Sequence, residues 1–349
     1  MTLEETLNQI NPVDTNAMRE SKLRWDSIAK PLHSLGKLED AVIKIAGIVG
    51  SNQISIEKKA LVIMCADNGV VAEGVTQTGQ EVTAIVAENF LQKMASVSIM
   101  SEYTKTDLFP VDIGIATDTN IINKKIAYGT KNFAKEPAMT KEEALQSIQI
   151  GIDMVTQLKA QGYQMIATGE MGIGNTTTSS AITSILLGKS VEAVTGKGAG
   201  LTSAGLSRKI NVIKEAILLH NPDKNNMIDV LSKVGGFDIG GLVGVFVGGA
   251  LNHIPIIIDG FISGVAALIA IKMNPCVKDY IIASHVSKEP AAVMILEELG
   301  LEQFITCDMC LGEGTGAVAI YPILDMAVAV YNQMSTFEQI HVDAYQPLN

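Results

Sequence analysis

Two carboxylates and one lysine carry the chemistry this chain offers. Glu170 stands inside the stretch Gly169 to Ser180, GEMGIGNTTTSS, and Glu313 stands between Gly312 and Gly314 in LGEGTG. An apolar run, 163–168, precedes the first stretch and reads as a buried strand; 181–187 follows and reads as a helix. The stretch is therefore a strand-to-helix turn, where an open α/β sheet presents its ligands. Gly169, Gly172 and Gly174 admit close approach of a ligand to the backbone, since no Cβ intervenes. Asn175, Thr176, Thr177 and Thr178 supply an N-cap and short donors at a helix N-terminus, where free N–H groups and the helix dipole suit a phosphate. No Lys-Ser/Thr follows the last glycine, so this is not a Walker loop. The third glycine of a dinucleotide fingerprint is also missing. The competing reading is a tight structural turn with a good cap. A carboxylate beside a phosphate site is electrostatically awkward, so Glu170 has a separate task. Glu313, flanked by glycines, faces an open site; apolar surroundings would raise its pKa and suit it to general-base work. The competing reading is a carboxylate that caps the last helix.

Further clusters could join these in one crevice: Gly196–Gly200 with Lys209 as a cation, and Ser284–Glu289. With Gly169–Thr178 and Gly312–Gly316 they could hold a phosphate and a ribose. The elements that must position them alternate along the chain. Strands are expected at 60–66, 108–115, 163–168, 254–258 and 280–283. Helices are expected at 81–95, 141–160, 203–220, 239–250, 261–272, 289–299 and 317–334. Thr140 caps the second of these, Asp238 the fourth, and Pro290 starts the sixth. Residues 117–139 read as an irregular excursion. Five strand–helix alternations give an α/β fold, a doubly wound, mainly parallel sheet with flanking helices. Residues 1–50 hold two helical patterns, ending near Ala29 and Val49, and no strand. The expectation is one unit over 1–349: a large α/β domain near 55–320, and a smaller helical lobe from 1–50 plus 321–349.

Composition narrows the partners. Lys plus Arg number 26 against 37 Asp plus Glu, a net charge of −11. That argues against a nucleic-acid surface and against an anionic membrane surface. No run reaches the ~18 uncharged apolar residues of a spanning helix. Gly240, Gly244 and Gly248 therefore read as close helix packing in a core rather than a membrane contact. Four cysteines and no signal peptide point to a reducing cytoplasm. Cys307 and Cys310 have redox or half-zinc-site spacing, but no second pair exists; partly buried thiols are the expectation. His285 reads as orienting Ser287 or its loop, and His33 and His253 as surface or packing residues.

The ordered motifs GEMGIGNTTTSSAI, GKGAGL, GGFDIGGLVG, DGFISGVAAL, SHVSKEPA and LGEGTGA resemble the nicotinate-nucleotide–dimethylbenzimidazole phosphoribosyltransferases over nearly the whole chain. The stretches 31–39 and 74–83 match as well. The resemblance implies transfer of the phosphoribosyl group of nicotinate mononucleotide to 5,6-dimethylbenzimidazole, giving α-ribazole 5′-phosphate and nicotinate in cobalamin nucleotide-loop assembly. It implies inversion at the anomeric carbon, a homodimer, no metal and no cofactor. It assigns the benzimidazole proton to Glu313, and it makes Glu170 the second carboxylate, for cation stabilisation or ribose binding. The phosphate site maps onto Gly172, Gly174, Asn175, Thr176, Gly198, Lys209 and Ser287, with Gly312 and Gly314 beside Glu313. Thr78, Val82 and Val86 form part of the slot for the base. The two valines leave the preferred base open between benzimidazoles, adenine and phenols; their competing reading is plain core packing. Two rival classes remain: a non-catalytic nucleotide- or base-binding paralogue or partner subunit, and a nicotinamide-dependent oxidoreductase, which the missing fingerprint disfavours.

Overall fold

The computed structural model describes residues 2–345; the polar tail beyond them, 346–349, lies outside the described residues. Strand β1 (Lys59–Ala66) is buried along its whole length. Its alternate residues face two separate cores: Leu61, Ile63 and Cys65 enter one, and Ala60, Val62, Met64 and Ala66 the other. A strand covered on both faces needs apolar side chains at every position, as central parallel strands have. The remaining strands are β2 (Thr106–Gly114), β3 (Ile122–Asn123), β4 (Met165–Met171), β5 (Ile256–Ile258) and β6 (Ile281–Ala283). They form one sheet in the order β3-β2-β1-β4-β5-β6. Every pairing is parallel. Chain direction across the sheet reverses between β1 and β4, which opens a crevice at their C-terminal ends.

Three departures from the sequence reading bear on the site. β3 lies inside the stretch read as irregular; its two residues pair with Val111 and Asp112, a strand too short to show periodicity. β4 continues past Thr168 to Met171, so Gly169 and Glu170 are strand residues, paired with Ile63 and Met64. Gly169 is needed there because a Cβ would stand 2.7 Å from the Glu313 carbonyl oxygen. Asp238 is not the N-cap: the helix Phe237–Leu251 starts after Gly236 with no side-chain cap, and the Asp238 carboxyl, inside the first turn, is fully buried.

The helices Lys37–Val49, Lys141–Ala160 and Ser203–His220 begin and end where the pattern put them. Thr140 makes a full capping box: its hydroxyl accepts from Glu143 N at 3.1 Å, and Glu143 Oε2 accepts from Thr140 N at 2.8 Å. Elsewhere the boundaries move. Residues 81–95 are the helix Glu81–Leu91 and a loop, and Ser96–Thr104 is a further helix. Pro290 precedes rather than starts the helix Ala292–Leu299. The last helix splits into Thr315–Ala319 and Tyr321–Gln333, with Pro322 in the first turn of the second piece.

Phe237–Leu251 packs closely on Lys141–Ala160. A Cβ on Gly244 would stand 2.9 Å from the Gly151 Cα, and one on Gly248 3.1 Å from the Ile152 Cα. Residues 237–250 are all buried, so the small-residue stripe serves the core of this chain. On the opposite face of the sheet, Lys37–Val49 and Tyr321–Gln333 share a core with Leu61 and Ile63. Trp25 joins them, its ring 5.2 Å from that of Tyr331. Residues 315–333 are the one stretch among the described residues long and apolar enough to cross a membrane, and 56% of its most apolar window is buried inside the fold.

Candidate active site

The C-terminal ends of the central strands enclose a cavity of about 620 Å³, and all four glycine- and hydroxyl-bearing clusters reach its walls. Glu170, Gly172, Gly174, Asn175 and Thr176 come from β4 and the turn after it; Gly198 and Lys209 come from the next loop and helix. Ser287 follows β6, Gly312 and Glu313 precede the helix Thr315–Ala319, and Thr78 also lines the cavity.

One end is cationic. Lys209 is 1% exposed, and its ammonium donates to Thr176 Oγ1 at 2.8 Å and to the Gly196 carbonyl at 3.3 Å. Burial brings its pKa down to about 8, against the opposing pull of Glu289. Gly198, at φ +53°, brings its backbone up to this pair: a Cβ there would lie 2.9 Å from Thr176 Oγ1. Gly174, at φ +96°, occupies the N-cap position of Asn175–Leu187 with no side-chain cap. The opening N–H groups of that helix thus meet no capping side chain, which suits a phosphate. Sequence alone had Asn175 and the threonines as caps. Instead Asn175 is the first helical residue and turns its amide inward.

The other end is acidic. Asn175 Nδ2 donates to Glu170 Oε2 and, at 3.1 Å, to Asp238 Oδ2. Burial first, then the charges of Asp238 and Asp259, push Glu170 up to about 8. Burial likewise pushes Asp238 up to about 7, with Asn175 opposing. Glu313 is raised by burial and by Asp259. It is a non-glycine residue at φ +62°, between Gly312 at +84° and Gly314 at +92°. A left-handed glutamate costs ~1–2 kcal/mol, so the surroundings must hold it. Its Oε2 is buried with no partner among the described residues, an acceptor left unsatisfied.

Three expected site residues fall outside the walls. Gly314 lies beneath them: its N–H donates to Asp259 Oδ2 at 3.0 Å. It has no room for a side chain, because a Cβ would stand 2.4 Å from a Leu61 methyl group. Val82 and Val86 are half-buried on Glu81–Leu91, and Val86 packs on the core containing Leu61. The apolar walls come instead from Val75, Leu201, Phe261, Ile262 and Leu311. Cys307 and Cys310 are exposed rather than partly buried, and Cys310 lies at the rim. His285 is buried in the wall, its Nδ1 3.1 Å from Ser284 Oγ. His33 is exposed, and His253 packs on Tyr280 with ring centroids 5.6 Å apart. Sequence reasoning missed Asp259 and the floor role of Asp238. The available signal for Asp259 was its place immediately after a buried strand.

A buried lysine beside a helix N-terminus and a pair of buried carboxyls share one cavity at the switch point of a doubly wound sheet, an arrangement suited to a glycosyl-transferring enzyme of the phosphoribosyl class. The family model described as phosphoribosyltransferase matches residues 10–342. The nicotinate-nucleotide–dimethylbenzimidazole phosphoribosyltransferase of Clostridium acetobutylicum is 48% identical, covering 100% of both chains. That of Acetivibrio thermocellus is 47% identical over 99% of each. The crystal structure of the enzyme of that name from Thermus thermophilus superposes with a TM-score of 0.88 at 35% identity, covering 95% of this chain and 99% of its own. The chain belongs to the nicotinate-nucleotide–dimethylbenzimidazole phosphoribosyltransferase family.

Proposed function

We infer that this chain transfers the phosphoribosyl group of nicotinate mononucleotide to 5,6-dimethylbenzimidazole or a related base, yielding α-ribazole 5′-phosphate and nicotinate for cobalamin nucleotide-loop assembly. The juxtaposition of Lys209 and Thr176 with Glu170 and Glu313 in one cavity supports this reading most directly. The donor phosphate sits at Lys209, Thr176, Gly198 and Ser287, beside the Gly172–Thr176 turn, whose Ile173 and Asn175 N–H groups already donate to Thr83 Oγ1 and the Gly172 carbonyl. The base enters between Thr78 and the apolar wall. One benzimidazole nitrogen attacks C1′ as the bond from C1′ to the pyridinium nitrogen breaks; its electron pair returns to the ring and neutralises it. The leaving group is already cationic, so it departs without an acid. The ribosyl carbon becomes oxocarbenium-like; its positive charge favours the ionised form of Glu170, which burial and neighbouring acids otherwise hold protonated up to about 8, and the carboxylate so formed stabilises that charge. The acceptor's second nitrogen gives its proton to Glu313 Oε2.

Small-molecule substrates fit the cavity. We propose a homodimer, supported by the exposed apolar side chains of Ile85, Leu91, Met94, Ile99 and Tyr103 on two consecutive helices and the loop between them. The cytoplasm is the proposed compartment, in keeping with four cysteines and no disulfide among the described residues. We also propose that 1–50 and 321–349 act together as a lobe beside the α/β unit, their helices meeting at Trp25 and Tyr331.

The test is product analysis by chromatography and mass spectrometry with nicotinate mononucleotide and a panel of benzimidazoles, purines and phenols. An α-linked ribotide with equimolar nicotinate is the expected result. Binding of donor and base with no product from any acceptor would favour a non-catalytic paralogue.

A further inference from the structure

Glu313 needs something to hold it in a backbone conformation that glutamate disfavours, and Asp259 is the side chain in place to do so. It follows β5 and is 3% exposed. Its Oδ2 accepts from Gly314 N at 3.0 Å, and its Oδ1 accepts from Gly316 N at 2.8 Å and Ala317 N at 3.1 Å. Three N–H donors on two oxygens leave the carboxylate little room for a proton of its own. Those donors belong to the residue after Glu313 and to the first turn of Thr315–Ala319. The loop is closed from the other side by His285, whose Cγ would lie 2.8 Å from a Cβ on Gly316. Leu61 fills the space at Gly314.

We propose that Asp259 is a positioning residue for the transfer reaction, clamping the 312–317 loop through three backbone N–H groups so that Glu313 keeps its left-handed backbone and its carboxylate stays at the cavity. This rests on the reading of Glu313 as the base. The clamp is also a charge: Asp259 adds to burial in raising the proton affinity of Glu313. Burial raises Asp259 itself, while His285 and the three N–H groups favour its ionised form. The other titratable groups around the cavity are Glu170 after β4, His285 after β6, Cys310 on the same loop, and Lys197 and Lys209 with Glu289. Asp238 lies under the floor.

The experiment is steady-state kinetics against pH for Asp259→Asn and Asp259→Glu, with Glu313→Gln beside them. Donor titration and thermal melts serve as the fold check. Asp259→Asn keeps the shape, removes the charge and turns a donor toward donors. It should lower kcat by about 100-fold or more while the KM for nicotinate mononucleotide stays within about 3-fold. Activity needs Glu313 deprotonated, so it rises with pH through the Glu313 pKa. Loss of the Asp259 charge should move that rising limb to lower pH by about half a unit or more. Asp259→Glu keeps the charge but misplaces it, so kcat should fall while the limb stays put. The inference is overturned if Asp259→Asn turns over within about 3-fold of the parent. It is equally overturned if both variants lose rate with the limb unmoved, which is the behaviour of a merely structural residue. Should Asp259→Asn not fold, parental kcat in Asp259→Glu overturns it, and a reduced kcat with a parental melt and a parental KM for nicotinate mononucleotide supports it. Full activity in Glu313→Gln would instead sink the reading of Glu313 as the base, a separable failure.

Discussion

The two ends of the cavity are built on opposite electrostatic plans. At one end a buried ammonium, Lys209, is held by a hydroxyl and a carbonyl and faces the open N-terminus of Asn175–Leu187. At the other end Glu170, Glu313, Asp238 and Asp259 crowd together, with His285 the nearest basic side chain. Burial lowers the pKa of Lys209 at the first end and raises those of the acids at the second. Each end is thus short of the charge that the substrate supplies. In the proposed reaction the phosphate brings anionic charge to Lys209, and the ribosyl cation and acceptor proton bring cationic charge to the acids. On that proposal the first interaction is made in the ground state and persists through the reaction, and the second strengthens only as the glycosidic bond breaks. The difference teaches where binding and rate are separately encoded.

Breaking the acidic end should cost the most. Glu313→Gln removes the proton acceptor and should lower kcat by about 10²–10⁴-fold with donor affinity nearly unchanged; single-turnover kinetics and donor titration would show it. Breaking the cationic end should act on binding. Lys209→Met removes a charged partner of the phosphate and should weaken donor binding by roughly 10–150-fold, read by calorimetry, with a smaller loss in kcat.

A smaller effect sharpens the comparison through stability. The folded-state pKa of Asp238 is raised from 3.8 to about 7, so between those values the folded chain keeps a proton that the unfolded chain has lost. Stability from this group therefore falls as pH rises across that window and levels off above it. Asp238→Asn should gain relative to the parent by ~2 kcal/mol at pH 8 and lose that advantage near pH 4, followed in thermal melts. A gap independent of pH would show that Asp238 is ionised throughout. The smallest effect is expected at Val82. Val82→Ala should alter acceptor preference by less than about 3-fold in competition assays, because the cavity is walled elsewhere.

Much of this was legible before any coordinates. Glycines and hydroxyls at the ends of apolar runs marked 169–178, 196–200, 284–289 and 312–316, and those four segments meet. They were readable because close backbone approach demands glycine, and few other residues can stand in. Asp238 was misread because an aspartate early in a helix looks like a cap; only the packing of Asn175 against it reveals a floor residue. Asp259 left almost no trace, since its partners are backbone N–H groups some fifty-five residues onward. The short β3 and the extension of β4 through Glu170 depend on cross-strand pairing, which no local periodicity reports. Val82 and Val86 showed a sound helical face, but a face alone does not tell which cavity, if any, it lines.

The most direct test of this division is a double-mutant cycle between Glu313→Gln and Lys209→Met, with kcat and donor affinity measured for each single variant and the pair. If the ends act independently, the kcat loss of the first and the affinity loss of the second should combine additively in free energy, within ~0.5 kcal/mol. If both variants depress the same parameter to a similar degree, or the pair is no worse than either alone, the separation of binding from rate across this cavity is contradicted.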